Sequence, residues 1–194
     1  MNKEPIIISA GEPNSVFLEI FFKSIKRNKY KSPLIIIVSE KLLKMQMKEL
    51  GFNFRINIID KNFNQFNTLN NKTINIIDVK YKFNNCFDKI SNKSNEYIKE
   101  TFEIALQILI KNKFSKFING PISKKHFLKG KNLGITEYLA KKISKNCDVA
   151  MLIFNKKLSV SPITTHLALK DVNKYITKKK IYSHVKLITK FYKK

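Results

Sequence analysis

The stretch Ile6-Ile7-Ile8-Ser9-Ala10-Gly11-Glu12-Pro13-Asn14-Ser15 decides the fold. Its apolar run is short, β-branched and without polar alternation, which fits a strand buried on both faces. Gly11 and Pro13 end the run, and Asn14 or Ser15 is placed to cap a helix. Val16, Phe17, Ile20, Phe21, Ser24 and Ile25 then recur at helical spacing. The same order follows at once. Pro33 precedes a second buried-type run, Leu34 to Val38, and Ser39 is placed to cap a helix carrying Leu42, Leu43, Met45 and Leu50 as far as Gly51. Strands alternating with helices predict an α/β fold, a three-layer sandwich around a largely parallel sheet. The strands at 6–9 and 34–38 are expected at its centre.

Working outward, a third strand is expected at Phe52 to Ile59 and a fourth at Thr73 to Val79, around a polar, Asn-rich loop from Asn62 to Lys72. Residues 80–93 are irregular. A strong helix begins at Ser94, with Phe102, Ala105, Leu106, Leu109 and Ile110 as one stripe. A short strand, Lys116 to Ile118, runs into Asn119-Gly120-Pro121. Gly134 to Ser144 reads as a helix with Thr136 as cap. Asn155-Lys156-Lys157 divides two apolar runs, 149–154 and 158–163, as a tight hairpin does. Helices are expected at 170–176 and 178–192, the second with Ile181, Val185, Ile188 and Tyr192 on one face. With no repeat and no evident linker, residues 1–194 read as a single α/β unit. A strand normally follows such a helix, so the chain reads as C-terminally truncated.

Composition narrows the function classes. The 194 residues carry 38 Lys+Arg against 14 Asp+Glu, a formal charge of +24. Arg27 and Arg55 are the only arginines, whereas readers of nucleic acid favour the bidentate guanidinium fork. The lysines are spread along the chain, so a lysine-rich nucleic-acid-binding module ranks third among the readings. Duplex DNA should bind weakly, without sequence preference, and be released steeply as salt rises. A filter-binding titration that finds tight, sequence-selective binding at physiological salt overturns this. No apolar run approaches the roughly 18 residues of a membrane span, and the first residues carry no secretory signal. Cys86 and Cys147 fit no paired-cysteine pattern and read as free thiols of a cytoplasmic protein.

The generic fingerprints of dinucleotide-binding, P-loop, serine-hydrolase and zinc-protease sites are absent. Four local clusters remain. Gly11-Glu12-Pro13-Asn14-Ser15 sits where α/β sheets hold ligands, although an ordinary strand-to-helix turn reads the same. Asn119-Gly120-Pro121-Ile122-Ser123-Lys124-Lys125 also follows a strand, and Lys124 could face an anion or be one lysine among many. Gly134-Ile135-Thr136-Glu137-Tyr138 opens a helix. Thr164-Thr165-His166-Leu167-Ala168-Leu169 places His166 just after a strand, as a ligand or acid–base group or as a capped surface histidine.

Together, in this order and spacing, the clusters resemble the 4-hydroxythreonine-4-phosphate dehydrogenase family of vitamin B6 biosynthesis. Ser9-Ala10-Gly11-Glu12-Pro13 matches the family's Gly-Asp/Glu-Pro loop, and Gly120-Pro121-Ile122-Ser123-Lys124 its Gly-Pro-x-x-Lys turn. Gly134-Ile135-Thr136-Glu137 matches Gly-His-Thr-Glu at three of four places. Thr164 to Leu169 matches Thr-Thr-His-Leu-Pro-Leu at all but the proline. The resemblance implies an isocitrate/isopropylmalate-dehydrogenase-like fold and a homodimer. It implies NAD-dependent oxidation of 4-phosphooxy-L-threonine, then loss of carbon dioxide to give 3-amino-2-oxopropyl phosphate. It also implies a divalent metal, commonly zinc, on three histidines. By this correspondence His166 is a metal ligand, and Thr136 and Lys124 are substrate contacts. No catalytic or NAD-binding residue is assigned. Two departures stand out: Ile135 replaces a substrate-contacting histidine, and the family's other two metal histidines and most of its NAD site have no counterpart here. The alternative reading is therefore a non-catalytic remnant, or one partner subunit of a split enzyme.

Overall fold

The computed structural model describes residues 3–62, 66–128, 134–143, 149–165 and 167–193. Its contacts fall into two compact units, Met1–Lys129 and Gly130–Lys194, where the sequence reads as one.

The first unit is built on five parallel strands: β1 (Ile6–Ser9), β2 (Leu34–Val38), β3 (Ile56–Ile58), β4 (Ile74–Asp78) and β5 (Phe117–Asn119), in the order β3-β4-β2-β1-β5. β1 and β2 are interior, as expected. The register Ile8↔Ile36↔Ile76 aligns side chains across the sheet, so alternate residues form two faces, one with Ile8, Ile36 and Ile76 and the other with Ile7, Ile35, Ile37 and Ile77 beside the polar Ser9, Asn57 and Asn75. Ile8, Ile36, Val38, Ile74 and Ile76 pack with Leu18, Phe21 and Phe22 of α1 (Phe17–Arg27) and Leu43 and Met47 of α2 (Glu40–Glu49). The other face meets α3 (Asn95–Asn112). There Thr101 and Ser9 hydroxyls lie 2.9 Å apart, and the Phe102 ring is 6.3 Å from Phe117. Helix, sheet and helix make the three layers.

Tertiary packing changes several local expectations. The buried side of α1 is Leu18, Phe21 and Phe22, while Val16 and Ile20 face solvent. In α3, Ile110 is exposed, and Tyr97, Ile98, Ile104 and Ile108 join the core. The third strand shrinks to three residues because Phe52 and Phe54 leave the ladder to stack beside Phe22, at ring distances of 5.4 and 6.1 Å. The Asn-rich loop is anchored by Phe66, which is buried against the edge of Phe114.

Ser39 caps α2 as read, its hydroxyl accepting from Leu42 N at 3.4 Å. Ser39→Ala should lower stability by about 1 kcal/mol. Urea denaturation checks this, and an unchanged midpoint refutes the capping role.

The second unit holds α4 (Ile135–Ile143), α5 (Val172–Tyr175) and α6 (Lys178–Tyr192). The expected hairpin is reduced to one antiparallel bridge, Ile153↔Val160. The helix at 170–176 is a tight turn, Leu169–Asp171, followed by four-residue α5. Ser161 Oγ is 2.7 Å from His184 Nε2 and ties the bridge region to α6. Among this unit's described residues no apolar side chain is buried, and Ile181, Val185 and Tyr192 of the α6 face are exposed. No helix among the described residues is long and apolar enough to cross a membrane.

Candidate active site

The chain leaves β1 through α1 toward β2, and reaches β5, on the other side of β1, through α3 on the opposite face. The carboxyl ends of β1 and β5 therefore form a topological switch point, where open α/β sheets hold ligands. The two loops that leave it are locked together. Gly120 N donates to Ser9 O and Glu12 N to Pro121 O, both at 2.8 Å. Both loops need glycine. Gly11 has φ +72°, and a Cβ there would lie 2.4 Å from Pro121 O; a Cβ on Gly120 would lie 2.0 Å from Ala10 O.

The loop 11–15 is held from three directions. Glu12 is buried, and its carboxylate accepts from Ser94 Oγ at 2.9 Å and Asn14 N at 3.3 Å. Ser94 heads α3 but makes no side-chain cap; its hydroxyl serves Glu12 instead. The fully buried Gln46 amide donates to Pro13 O at 3.0 Å and Cys86 O at 2.6 Å, pinning this loop and the 80–93 segment to α2. Asp88 N donates to Asn14 Oδ1 at 3.2 Å. Cys86 is a half-buried free thiol, and Cys147 lies outside the described residues.

Two phenols flank this cluster. Burial, then the nearby Glu12 carboxylate, raises the Tyr81 pKa. Tyr97 is fully buried, its hydroxyl accepts from Ser39 N at 3.1 Å, and burial holds its pKa far above the ordinary 10.0. Because the folded value exceeds the unfolded one, the stability linked to Tyr97 is complete below about pH 10 and is lost as pH rises beyond it. Tyr97→Phe should flatten the alkaline fall in stability. It should also cost about 1–3 kcal/mol at neutral pH by leaving Ser39 N unpaired. Denaturant titrations at neutral and alkaline pH check this; an unchanged alkaline slope refutes the assignment.

Two of the three sequence-derived site residues are described, one in each unit. Lys124 is exposed at the start of one wide helical turn, Lys124–Leu128, of the first unit. Thr136 belongs to the second unit. It is half-buried inside the first turn of α4 rather than capping it, because the helix already begins at Ile135. His166 lies outside the described residues. Among those residues no three His, Cys, Asp or Glu side chains converge to hold a metal. His126 Nδ1 is 3.2 Å from Asn92 Oδ1, and His184 is engaged with Ser161. No step is routed through the family-implied metal. Ser94, Gln46 and Tyr97 escaped the sequence reading: their partners lie 82, 33 and 58 positions away, and each sits in an ordinary helical pattern.

The fold defines a doubly wound α/β protein, a class that holds ligands at the carboxyl edge of its sheet. Residues 29–194 match the family described as "Pyridoxal phosphate biosynthetic protein PdxA", and the chain belongs to that family. The 4-hydroxythreonine-4-phosphate dehydrogenase of Sulfurihydrogenibium sp. strain YO3AOP1 is 32% identical over 191 residues, covering 97% of this chain and 58% of the relative. The enzyme of the same name from Aquifex aeolicus is 30% identical over 192 residues, covering 98% and 58%. The chain thus spans less than two thirds of the length of these relatives. The structure of 4-hydroxythreonine-4-phosphate dehydrogenase from Klebsiella pneumoniae superposes with a TM-score of 0.79 at 17% identity, over 98% of this chain and 58% of that one. The Burkholderia phymatum structure gives 0.76 at 22%, over 95% and 57%. These likenesses bear out the isocitrate/isopropylmalate-dehydrogenase-like fold.

Proposed function

We propose that this chain serves the 4-hydroxythreonine-4-phosphate dehydrogenase reaction: NAD-dependent oxidation of 4-phosphooxy-L-threonine, then decarboxylation to 3-amino-2-oxopropyl phosphate in pyridoxal phosphate biosynthesis. The observation that carries the reading is the 32% identity to a relative of that name across 97% of the chain. The two glycine-dependent loops at the switch point support it, since they keep the family's Gly-Glu-Pro and Gly-Pro-x-x-Lys residues in contact. In this reading Lys124 faces the anionic substrate, Thr136 contacts it, and His166 is one ligand of a divalent metal, zinc by family resemblance. NAD is the hydride acceptor, the assembly is a homodimer, and the setting is the cytoplasm. The chain's own contribution is placement: the buried Glu12–Ser94 bond and the Gln46 clamp fix the loop beside the substrate. The test is NADH formation from 4-phosphooxy-L-threonine when the chain is mixed with a polypeptide supplying the remaining length of the family. Failure of a soluble, assembled mixture to turn over rejects the reading.

A second reading, a non-catalytic remnant or partner subunit of a split enzyme, is favoured by the exposed apolar residues of the second unit. It predicts association with that same polypeptide in size-exclusion chromatography, with turnover in the assembled mixture for a split-enzyme subunit and none for a remnant.

A further inference from the structure

At the amino edge of the sheet, opposite the loops of the candidate site, a cavity of about 190 Å³ opens between α1 and the starts of β2 and β4. Its wall is Phe21, Ile25, Leu34, Phe54 and Ile74. Among the described residues, the only Lys, Arg, Asp or Glu side chains lining it are Lys29 and Lys72, both exposed. The mouth is built rather than loose. The Asn71 amide donates to Tyr30 O at 3.0 Å and Ser32 O at 2.8 Å, and its oxygen accepts from Leu34 N at 2.8 Å. The Tyr30 hydroxyl is 2.5 Å from Ser24 Oγ. These bonds hold the 28–33 and 69–73 loops in place around the opening. Small-molecule sites have this composition: an apolar wall with a few fixed polar groups at the rim.

Size and charge specify the ligand. An apolar cavity of about 150 Å³ is enough to bind benzene in another protein, so this one suits a single ring with a small substituent. Two lysines with no carboxylate among the lining residues, on a chain of charge +24, favour a negative substituent. We propose that this cavity binds a small aromatic or similarly compact apolar anion, a carboxylate or phosphate monoester. Its apolar part lies against Phe21, Phe54 and Ile74, and its charge lies between Lys29 and Lys72. Such a ligand binds apart from the switch point and stabilises the fold by mass action.

The test uses the full chain with labelled isoleucine methyl groups, titrated with phenyl phosphate, benzoate, benzyl alcohol and benzylamine, and with inorganic phosphate as control. Phenyl phosphate and benzoate should shift the Ile25 and Ile74 methyl signals. They should bind about tenfold more tightly than benzyl alcohol, with benzylamine weaker still and inorganic phosphate without effect on those signals. Lys29→Gln with Lys72→Gln, both at exposed positions, should reduce the anions to the level of the alcohol and leave the alcohol unchanged. Ile25→Phe should fill the cavity and abolish all four. The proposal is overturned by benzylamine binding as well as benzoate, by anion binding that survives the double lysine substitution, or by no methyl shift at millimolar probe.

Discussion

The purified 194-residue chain, free of host enzyme, should produce no NADH from 4-phosphooxy-L-threonine. Hydride transfer requires the substrate carbon and the nicotinamide to be held in contact. Positioning of that kind is worth about 7–11 kcal/mol of barrier, or five to eight orders of magnitude in rate. A catalytic zinc site wants three protein ligands and an open position. Of the chain's three histidines, His126 pairs with Asn92, His184 pairs with Ser161, and His166 is the one the proposed reading makes a metal ligand. In the proposed reading Lys124 and Thr136 contact the substrate, and neither contact positions a cofactor. A polypeptide supplying the remaining family length should restore turnover, and Thr136→Ala should then weaken it. Substrate-dependent NADH formation by the chain alone refutes this expectation and leaves the family membership standing.

Gly120→Ala should be among the most damaging single changes in the first unit. The added Cβ would sit 2.0 Å from the backbone oxygen of Ala10 and 2.7 Å from its carbonyl carbon. Neither is a flexible side chain that can swing aside. Relief requires the 119–121 turn to lift off the 10–13 loop, which breaks the bonds from Gly120 N to Ser9 O and from Glu12 N to Pro121 O. Overpacking of this kind costs about 1–3 kcal/mol or more, and each lost bond adds about 1. A total of about 3–5 kcal/mol lowers the melting temperature by roughly 6–20 °C for a chain of this length. The same shift misplaces both loops of the candidate site, so any assembled activity should fall with stability. Calorimetry checks the first effect, and a melting temperature within a degree of the parent chain rules out the close approach as a constraint.

Much of this protein follows from sequence alone. Ile6 to Ile8 and Leu34 to Val38 became interior strands because uninterrupted β-branched runs have no polar face to turn to solvent. Ser39 fixed the start of α2, and the spacing of Lys178 to Tyr192 gave the limits of α6, because caps and 3.6-residue periodicity act within one or two turns. The family was legible in the motifs around Gly11, Gly120, Thr136 and His166, which carry chemistry in contiguous residues. Tertiary structure decided the rest. The pairing of β1 with β5, more than a hundred residues apart, creates the switch point and makes glycine obligatory at 120. Which side of α1 and α3 is buried depended on what each helix met, so Ile20 and Ile110 lie outside and Leu18 and Ile104 inside. Ser94 could have capped its own helix but is drawn to the buried Glu12 carboxylate. A buried carboxylate out of water needs a donor, and the Ser94 hydroxyl supplies it.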